Sequence, residues 1–186
     1  MKLLDTVLEG PLLFAPEVFG DERGFFCETF RAEVLEGHGI TEPFVQDNHS
    51  RSRRGTLRGM HFSVGAGLSK LVRCGRGTIV DVLVDVRRNH GAFGAWEAYE
   101  LSDENMRVLY APVGFAHGFA VVSEVADVLY KQSGYYAPGD ERGFSVRDPD
   151  VGIVWPDMGV EPVLSQRDRE APLLRDLADE PKSGAA

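Results

Sequence analysis

The 186-residue chain contains little cysteine and no long hydrophobic run. Its two cysteines, Cys27 and Cys74, could form one disulfide at most, and a reduced thiol pair in the cytoplasm is the expected arrangement. No segment approaches the roughly 20 apolar residues that a membrane-spanning helix needs. Acidic Asp5 comes too early for a secretory signal. These features predict a cytoplasmic protein that does not bind membranes.

The composition is not that of a disordered protein. Hydrophobic residues make up 43% of the chain and aromatic residues 10%, which is enough for a substantial core. The length suits one domain, and the sequence has no internal repeat and no obvious linker. We therefore predict a single domain over residues 1–177 and a flexible tail of small and polar residues over 178–186.

Acidic residues are absent between Asn48 and Val80, although the net charge of the chain is −9. The overall charge disfavours a nucleic-acid-binding protein, because phosphate backbones bind positive surfaces. The acid-free segment carries these basic residues: Arg51, Arg53, Arg54, Arg58, Lys70, Arg73 and Arg76. This distribution favours a confined site for a small anion, and a solvated basic edge is the alternative.

Short runs of strand-forming residues alternate with glycine, of which there are 21. The strongest run is Thr78–Arg87, which places Asp81 and Asp85 on one face. Similar runs are Leu68–Cys74, Arg107–Tyr110, Phe119–Val122 and Val125–Gln132, with glycine turns at 75–77 and 91–94. Helical signals are scarce, the clearest being Arg31–Glu36. The pattern predicts an all-β sandwich, barrel or jelly roll with a few short helices.

Two of the five histidines, His61 and His117, lie in apolar segments flanked by glycine. A single histidine of this kind is usually a hydrogen-bonded core residue. The pattern Pro112-x-Gly114-x-x-His117 resembles the second half of the metal-binding cupin motif, but Ser63 stands where a second histidine of the first half would be. No glutamate follows in the acid-free segment, so the sequence favours a cupin-type barrel without a metal.

Two further side chains could take part in proton transfer. Tyr130 near the end of a predicted strand could be a structural residue, or it could donate a proton if nearby cations lower its pKa. Asp168 by itself would be read as a helix cap or a surface acid.

Several motifs occur together in a fixed order. In the first half of the chain they are Asp21-Glu-Arg-Gly-Phe-Phe-x-Glu-x-Phe30, Gln46-Asp-Asn-His-Ser50, Gly55-x-Leu-Arg-Gly-Met-His-Phe62, Lys70-Leu-Val-Arg73 and Gly77-x-Ile-x-Asp-Val-x-Val-Asp85. In the second half they are Pro112-x-Gly-Phe-Ala-His-Gly-Phe119, Tyr130-Lys-x-x-x-x-Tyr136, Asp148-Pro-Asp-x-Gly-Ile-x-Trp-Pro156 and Leu164-Ser-x-x-Asp168. Over about residues 10–173 the chain resembles the dTDP-4-dehydrorhamnose 3,5-epimerase family of nucleotide-sugar enzymes.

The resemblance implies a cupin-type jelly roll that acts on a dTDP-4-keto-6-deoxyhexose without a metal or another cofactor. The C4 ketone acidifies the protons at C3 and C5, so a base, an acid on the opposite face and a cation at the enolate oxygen can invert both carbons. By the family pattern, His61 is the base, Asp168 its partner, Tyr130 the acid and Lys70 the cation.

The resemblance also implies a set of substrate-binding residues and a homodimer whose N-terminal segment crosses to the partner subunit. Arg23 and Arg58 match positions that bind phosphate, Tyr136 matches an aromatic residue that stacks on thymine, and His117 orients the substrate. The other matching binding positions are Glu28, Gln46, Asp47, Asn48, Glu141 and Arg167.

The chain departs from the family pattern in the loop Ser63–Ser69, which has no proline and is about one residue short. Met60 replaces a leucine and Arg167 a lysine. The altered loop leaves open a monoepimerase that inverts C3 or C5 alone. Two alternatives of other classes are a non-catalytic cupin that binds sugar nucleotides and a metal-dependent cupin dioxygenase or isomerase.

Overall fold

The computed structural model describes residues 1–177, so the predicted tail over 178–186 lies outside the described residues. The strands are β1 (Lys2–Leu4), β2 (Leu12–Ala15), β3 (Val18–Asp21), β4 (Gly24–Cys27), β5 (Gln46–Arg53), β6 (Leu57–Ser63), β7 (Lys70–Arg76), β8 (Thr78–Asp85), β9 (Trp96–Ser102), β10 (Val108–Ala111), β11 (Phe115–Val121), β12 (Val125–Gln132) and β13 (Glu141–Gly143). The helices are α1 (Ala32–Glu36), α2 (Gln166–Arg169) and a 3-10 turn at Leu174–Asp176.

The strands form two antiparallel sheets that pack face to face. One has the order β1-β2-β10-β7-β12-β5 and the other β13-β6-β11-β8-β9, while β3 and β4 form a separate hairpin. Val72 and Leu109 of the first sheet share one buried apolar cluster with Leu83 and Leu101 of the second. This closed two-sheet arrangement confirms the predicted jelly roll.

The outer faces of the sheets are covered by the remaining segments. Helix α1 places Leu35 against Phe14 and Val108 on the six-stranded sheet. The C-terminal segment covers the five-stranded sheet through Phe144 and Leu174, both of which are buried. Docking of this segment brings α2 against β6, which matters for the site described below.

Local sequence patterns predicted several strands closely. Val125–Gln132 matches β12, and Thr78–Arg87 matches β8 apart from its last two residues. The turn before β8 requires glycine at position 77, because φ is +75° and a β-carbon there would lie 2.1 Å from the Val125 carbonyl oxygen. The polar strand β5 was missed, since its half-buried positions carry Gln46, Asn48 and Ser50 in place of apolar residues.

Both cysteines are free thiols. Cys74 is buried, and burial raises the pKa of its thiol to about 11. None of the described helices is long and apolar enough to cross a membrane. The cytoplasmic location stays a prediction.

Candidate active site

A cavity of about 560 Å³ opens between the two sheets near α2. The six-stranded sheet contributes Lys70 and Tyr130 to its wall, and the five-stranded sheet contributes His61 and His117. Asp168 enters from α2. The volume lies in the range of small-ligand sites. The structure therefore brings all four predicted catalytic residues into one cavity.

A bulge in β6 places two of the predicted site residues on the cavity wall. His61 of β6 pairs with His117 of β11, and Arg58 of β6 pairs with Phe119 of β11. Between these two pairs β6 has one residue more than β11. Gly59 accommodates the bulge with φ of +130°, and a β-carbon there would lie 2.6 Å from Cα of Gly118. Because of the extra residue, Arg58 and His61 both line the cavity despite their odd spacing.

His61 and Asp168 form a hydrogen-bonded pair, although 107 residues separate them in the sequence. Nε2 of His61 lies 2.7 Å from Oδ1 of Asp168, which leaves Nδ1 for a substrate. Burial opposes ionisation of Asp168, but hydrogen bonds from His61 and Ser165 outweigh it and lower the pKa of this carboxyl group. A buried carboxylate can hold an imidazole in one orientation and stabilise its protonated form.

The same pair also lines a second hollow of about 660 Å³. That hollow is lined by Met60, Gly143 and the α2 region. It contains His61 and Asp168 but none of the other proton-transfer candidates. The four catalytic candidates therefore meet in the first cavity and not in the second hollow.

Tyr130 and Lys70 lie together on the wall formed by the six-stranded sheet. Nζ of Lys70 is 5.9 Å from the centre of the Tyr130 ring. The expectation that cations lower the pKa of Tyr130 is wrong, because burial and the charge of Glu141 raise this pKa against the opposing effect of Arg58. Tyr130 therefore stays protonated at neutral pH, as a proton donor must.

His117 is paired with a carboxylate that sequence reasoning did not connect with it. Nε2 of His117 lies 2.8 Å from Oδ2 of Asp81, which is completely buried. Both histidines therefore have a carboxylate partner, although the acid-free segment around His61 contains none: Asp168 binds His61 and Asp81 binds His117. Within residues 1–177, no group of three or more metal-ligating side chains is arranged to hold a metal ion.

Hydrogen bonds connect several side chains at the rim of the cavity. Arg167 of α2 donates to the carboxylate of Glu141, which also accepts a bond of 3.2 Å from the Tyr136 hydroxyl. The backbone N–H of Tyr136 donates to Gln46 at 2.9 Å. Arg58 donates to Ser52 and leaves the rest of its guanidinium for an anion.

The remaining predicted binding residues do not line this cavity. Arg23 lies on the exposed β3–β4 hairpin with Asp21, and Glu28 accepts from Arg31 just beyond it. Asp47 lies on the exposed face of β5 and pairs with Lys131 at 2.7 Å. Their role in binding stays a prediction.

Gln46 and Asn48 lie on the opposite, half-buried face of β5. Asn48 Nδ2 donates to Gln132 at 3.2 Å, and Gln132 lines the cavity. The same face of β5 carries Ser50, which lines the cavity, so Gln46 and Asn48 lie beside the cavity wall. Direct contact of either residue with a substrate stays a prediction.

Sequence reasoning missed several wall residues. These are Ser50, Phe119, Gln132 and Ser165. The period-two alternation of a strand could have found Gln132, which lies two residues after Tyr130 on the same face of β12.

A jelly roll with a carboxylate-paired imidazole on one wall of a cavity and a tyrosine with an ammonium group on the other defines a cupin-type acid–base enzyme. Residues 5–176 match the family model described as dTDP-4-dehydrorhamnose 3,5-epimerase. The chain belongs to this family.

Individual relatives agree with this assignment. The chain is 45% identical over 179 residues to the dTDP-4-dehydrorhamnose 3,5-epimerase of Pseudomonas aeruginosa, covering 95% of this chain and 97% of the relative. It superposes with a TM-score of 0.94 and 42% identity on a 3,5-epimerase from Legionella pneumophila in complex with dTDP-4-keto-L-rhamnose, covering 99% of both chains. A 3'-monoepimerase from Streptomyces bikiniensis in complex with dTDP-quinovose is 36% identical with a TM-score of 0.86, covering 91% of this chain and 86% of that one.

Proposed function

We propose that this protein inverts C3 and C5 of a dTDP-4-keto-6-deoxyhexose. The observation that carries the proposal is the placement of His61 and Tyr130 on opposite walls of one cavity, with Lys70 beside the tyrosine. Inversion of a carbon next to a ketone needs a base and an acid on opposite faces of the sugar, and this cavity supplies both.

The reaction follows from the charges of these groups. His61 removes the proton from one carbon beside the ketone, and the electron pair of that bond becomes the enolate. The Lys70 ammonium stabilises the negative charge that develops on the C4 oxygen. Tyr130 then gives its proton to the opposite face. Water restores the proton to Tyr130 and takes the one from His61, and the same steps at the second carbon then complete the double inversion.

The nucleotide part of the substrate accounts for the basic wall. Arg58 offers a guanidinium fork for a diphosphate oxygen. Tyr136, 47% exposed at the rim, offers a flat ring for the thymine. These contacts hold the sugar in the same place while each of its two carbons reacts.

The proposal predicts deuterium uptake from solvent. In D2O with dTDP-4-keto-6-deoxyglucose, proton NMR should show deuterium at both C3 and C5. Uptake at one carbon alone would support the monoepimerase. No uptake at either carbon would contradict both forms of the proposal and leave a cupin that only binds its ligand.

We further propose that the protein is a homodimer in which the β3–β4 hairpin of one subunit reaches the cavity of its partner. The hairpin exposes Phe19, Phe25 and Phe26 by 56%, 61% and 70%, which is an apolar surface that a second copy would cover. At its tip Arg23 is 85% exposed and absent from the cavity wall of its own subunit, so it can serve a phosphate in the other one.

A mixing experiment tests the exchange of Arg23 between subunits. Arg23→Ala should weaken substrate binding and His61→Ala should abolish turnover, yet a reassociated mixture should regain activity well above the sum of the two. One site of each mixed dimer then combines His61 from one chain with Arg23 from the other. If Arg23 serves its own chain, no mixed site is intact and the mixture stays additive. A mass near 20.5 kDa in solution would contradict the dimer directly.

A further inference from the structure

Asp81 is hydrogen-bonded to His117, a residue of the cavity wall, and has no role in the reaction as described so far. Its carboxylate is completely buried on β8. Oδ2 accepts from His117, while Oδ1 has no hydrogen-bond partner among the described residues. Burying a carboxylate that is only half hydrogen-bonded is costly for a fold, so a purely structural role is a poor explanation.

We propose that Asp81 is a positioning residue for the epimerisation, orienting His117 and keeping the Lys70 ammonium charged at the wall of the cavity. This inference rests on the proposed function, because it assigns to Lys70 the stabilisation of the enolate. Asp81 itself does not line the cavity and acts through these two side chains.

The orientation of His117 follows from strand register. Asp81 of β8 pairs with Phe119 of β11, and Phe119 is two residues from His117 on that strand. Because Nε2–H of His117 donates to Asp81, its Nδ1 is left for the substrate. His117 is itself the cross-strand partner of His61, so the cavity contains two adjacent imidazoles, each held by its own carboxylate.

The charge of Lys70 depends on few neighbours. Burial lowers its pKa, and the two carboxylates that oppose this shift are Glu141 on β13 and Asp81 on β8. Glu141 is already paired with Arg167. Within residues 1–177, the one hydrogen-bond partner of the Asp81 carboxylate is His117, and its charge also acts on Lys70.

Two further titratable groups close to Asp81, His117 and Lys70 are tyrosines. Tyr130 on β12 faces Lys70, and Tyr99 on β9 lies across from Asp81, where its hydroxyl donates to Glu97. Burial raises the pKa of Tyr99, so this residue stays neutral. Burial also raises the pKa of Asp81, and its interactions with His117 and Lys70 limit that rise.

The direction of the pH effect is fixed by these charges. Lys70 stabilises the enolate only when it is protonated, so activity is present below its pKa and is lost as the pH rises through it. Removing the charge of Asp81 lowers the pKa of Lys70 further. The basic limb of the kcat profile therefore moves to lower pH.

Asp81→Asn tests this with little change of shape, because the amide oxygen can still accept from His117. We expect the basic limb to move by about one pH unit and kcat near pH 8 to fall by up to about tenfold, while the dissociation constant for dTDP changes by less than about threefold. A variant that keeps the wild-type basic limb overturns the inference, whatever its stability.

Asp85→Asn is the matched control. Asp85 is also fully buried on β8 and also binds a histidine, His90, but it lies outside the cavity and pairs with Arg87. Asp85→Asn should lower the melting temperature and leave the pH profile in place. A shift of the basic limb equal to that of Asp81→Asn would overturn the inference, because it would then reflect general destabilisation.

A measurement on the wild-type protein covers the case in which Asp81→Asn does not fold. In 15N–1H spectra His117 should carry its proton on Nε2, with slow solvent exchange. A proton on Nδ1 alone would contradict the inference that Asp81 orients His117.

Failure of the inference about Asp81 can be distinguished from failure of the proposed epimerase function. Wild-type protein that takes up no deuterium from D2O refutes the epimerase, whereas normal uptake with an unmoved Asp81→Asn profile refutes only the role of Asp81.

Discussion

His61→Ala should abolish deuterium uptake at both sugar carbons, with a loss of kcat of about 10³-fold or more. The alanine removes the only group that the proposed reaction uses to take a proton from C3 and C5. The fold should change little, because His61 lines two cavities and is only half-buried. Proton NMR in D2O and the thermal melting curve measure the two effects separately.

His49→Ala provides the control for this variant. His49 is 53% exposed on β5 and pairs loosely with Asp127 outside the cavity. Its replacement should leave exchange at the wild-type rate. Near-native exchange in His61→Ala would remove His61 as the base and direct attention to His117, the other imidazole in the cavity.

Tyr130→Phe should separate exchange from inversion. Without the hydroxyl, the opposite face of the enolate receives no proton, so net inversion should fall about 10²- to 10³-fold. His61 can still remove a proton and return a deuteron to the same face. Substrate recovered from D2O should therefore carry deuterium with its original configuration, which NMR coupling constants reveal.

Binding of dTDP decides whether Tyr130 acts by proton transfer. The dissociation constant should stay near the wild-type value in Tyr130→Phe. A loss of affinity as large as the loss of inversion would make Tyr130 a binding residue. Tyr135→Phe is the control, since Tyr135 is 77% exposed and absent from the cavity wall.

Much of this architecture is visible in local sequence. Strand β12 could be delimited from β-branched and aromatic residues alone, and β8 nearly so, because those residues favour a pleated and half-buried surface. The polar strand β5 was missed for the same reason. Its half-buried face supports a cavity wall and not the apolar core, so its composition carries no hydrophobic alternation.

The site itself depends on contacts that local patterns do not contain. Asp168 reads as a surface acid, yet the C-terminal segment docks on the five-stranded sheet and buries it against His61. The pKa of Tyr130 was predicted with the wrong sign, because arginines nearby in sequence are visible while burial and Glu141 are not. Long-range packing decides both the distance and the dielectric environment of a charge.

Composition and local patterns are enough to predict an all-β protein with an acid-free basic segment, and the ordered motifs are enough to indicate the family. Which of those residues meet depends on how the two sheets pack. The two sheets place base and acid on opposite walls, the bulge in β6 turns Arg58 and His61 to one side, and strand register joins Asp81 to His117. Residue types fix what chemistry is available, but a proton is transferred only over hydrogen-bond distances, and those distances exist only in the folded chain.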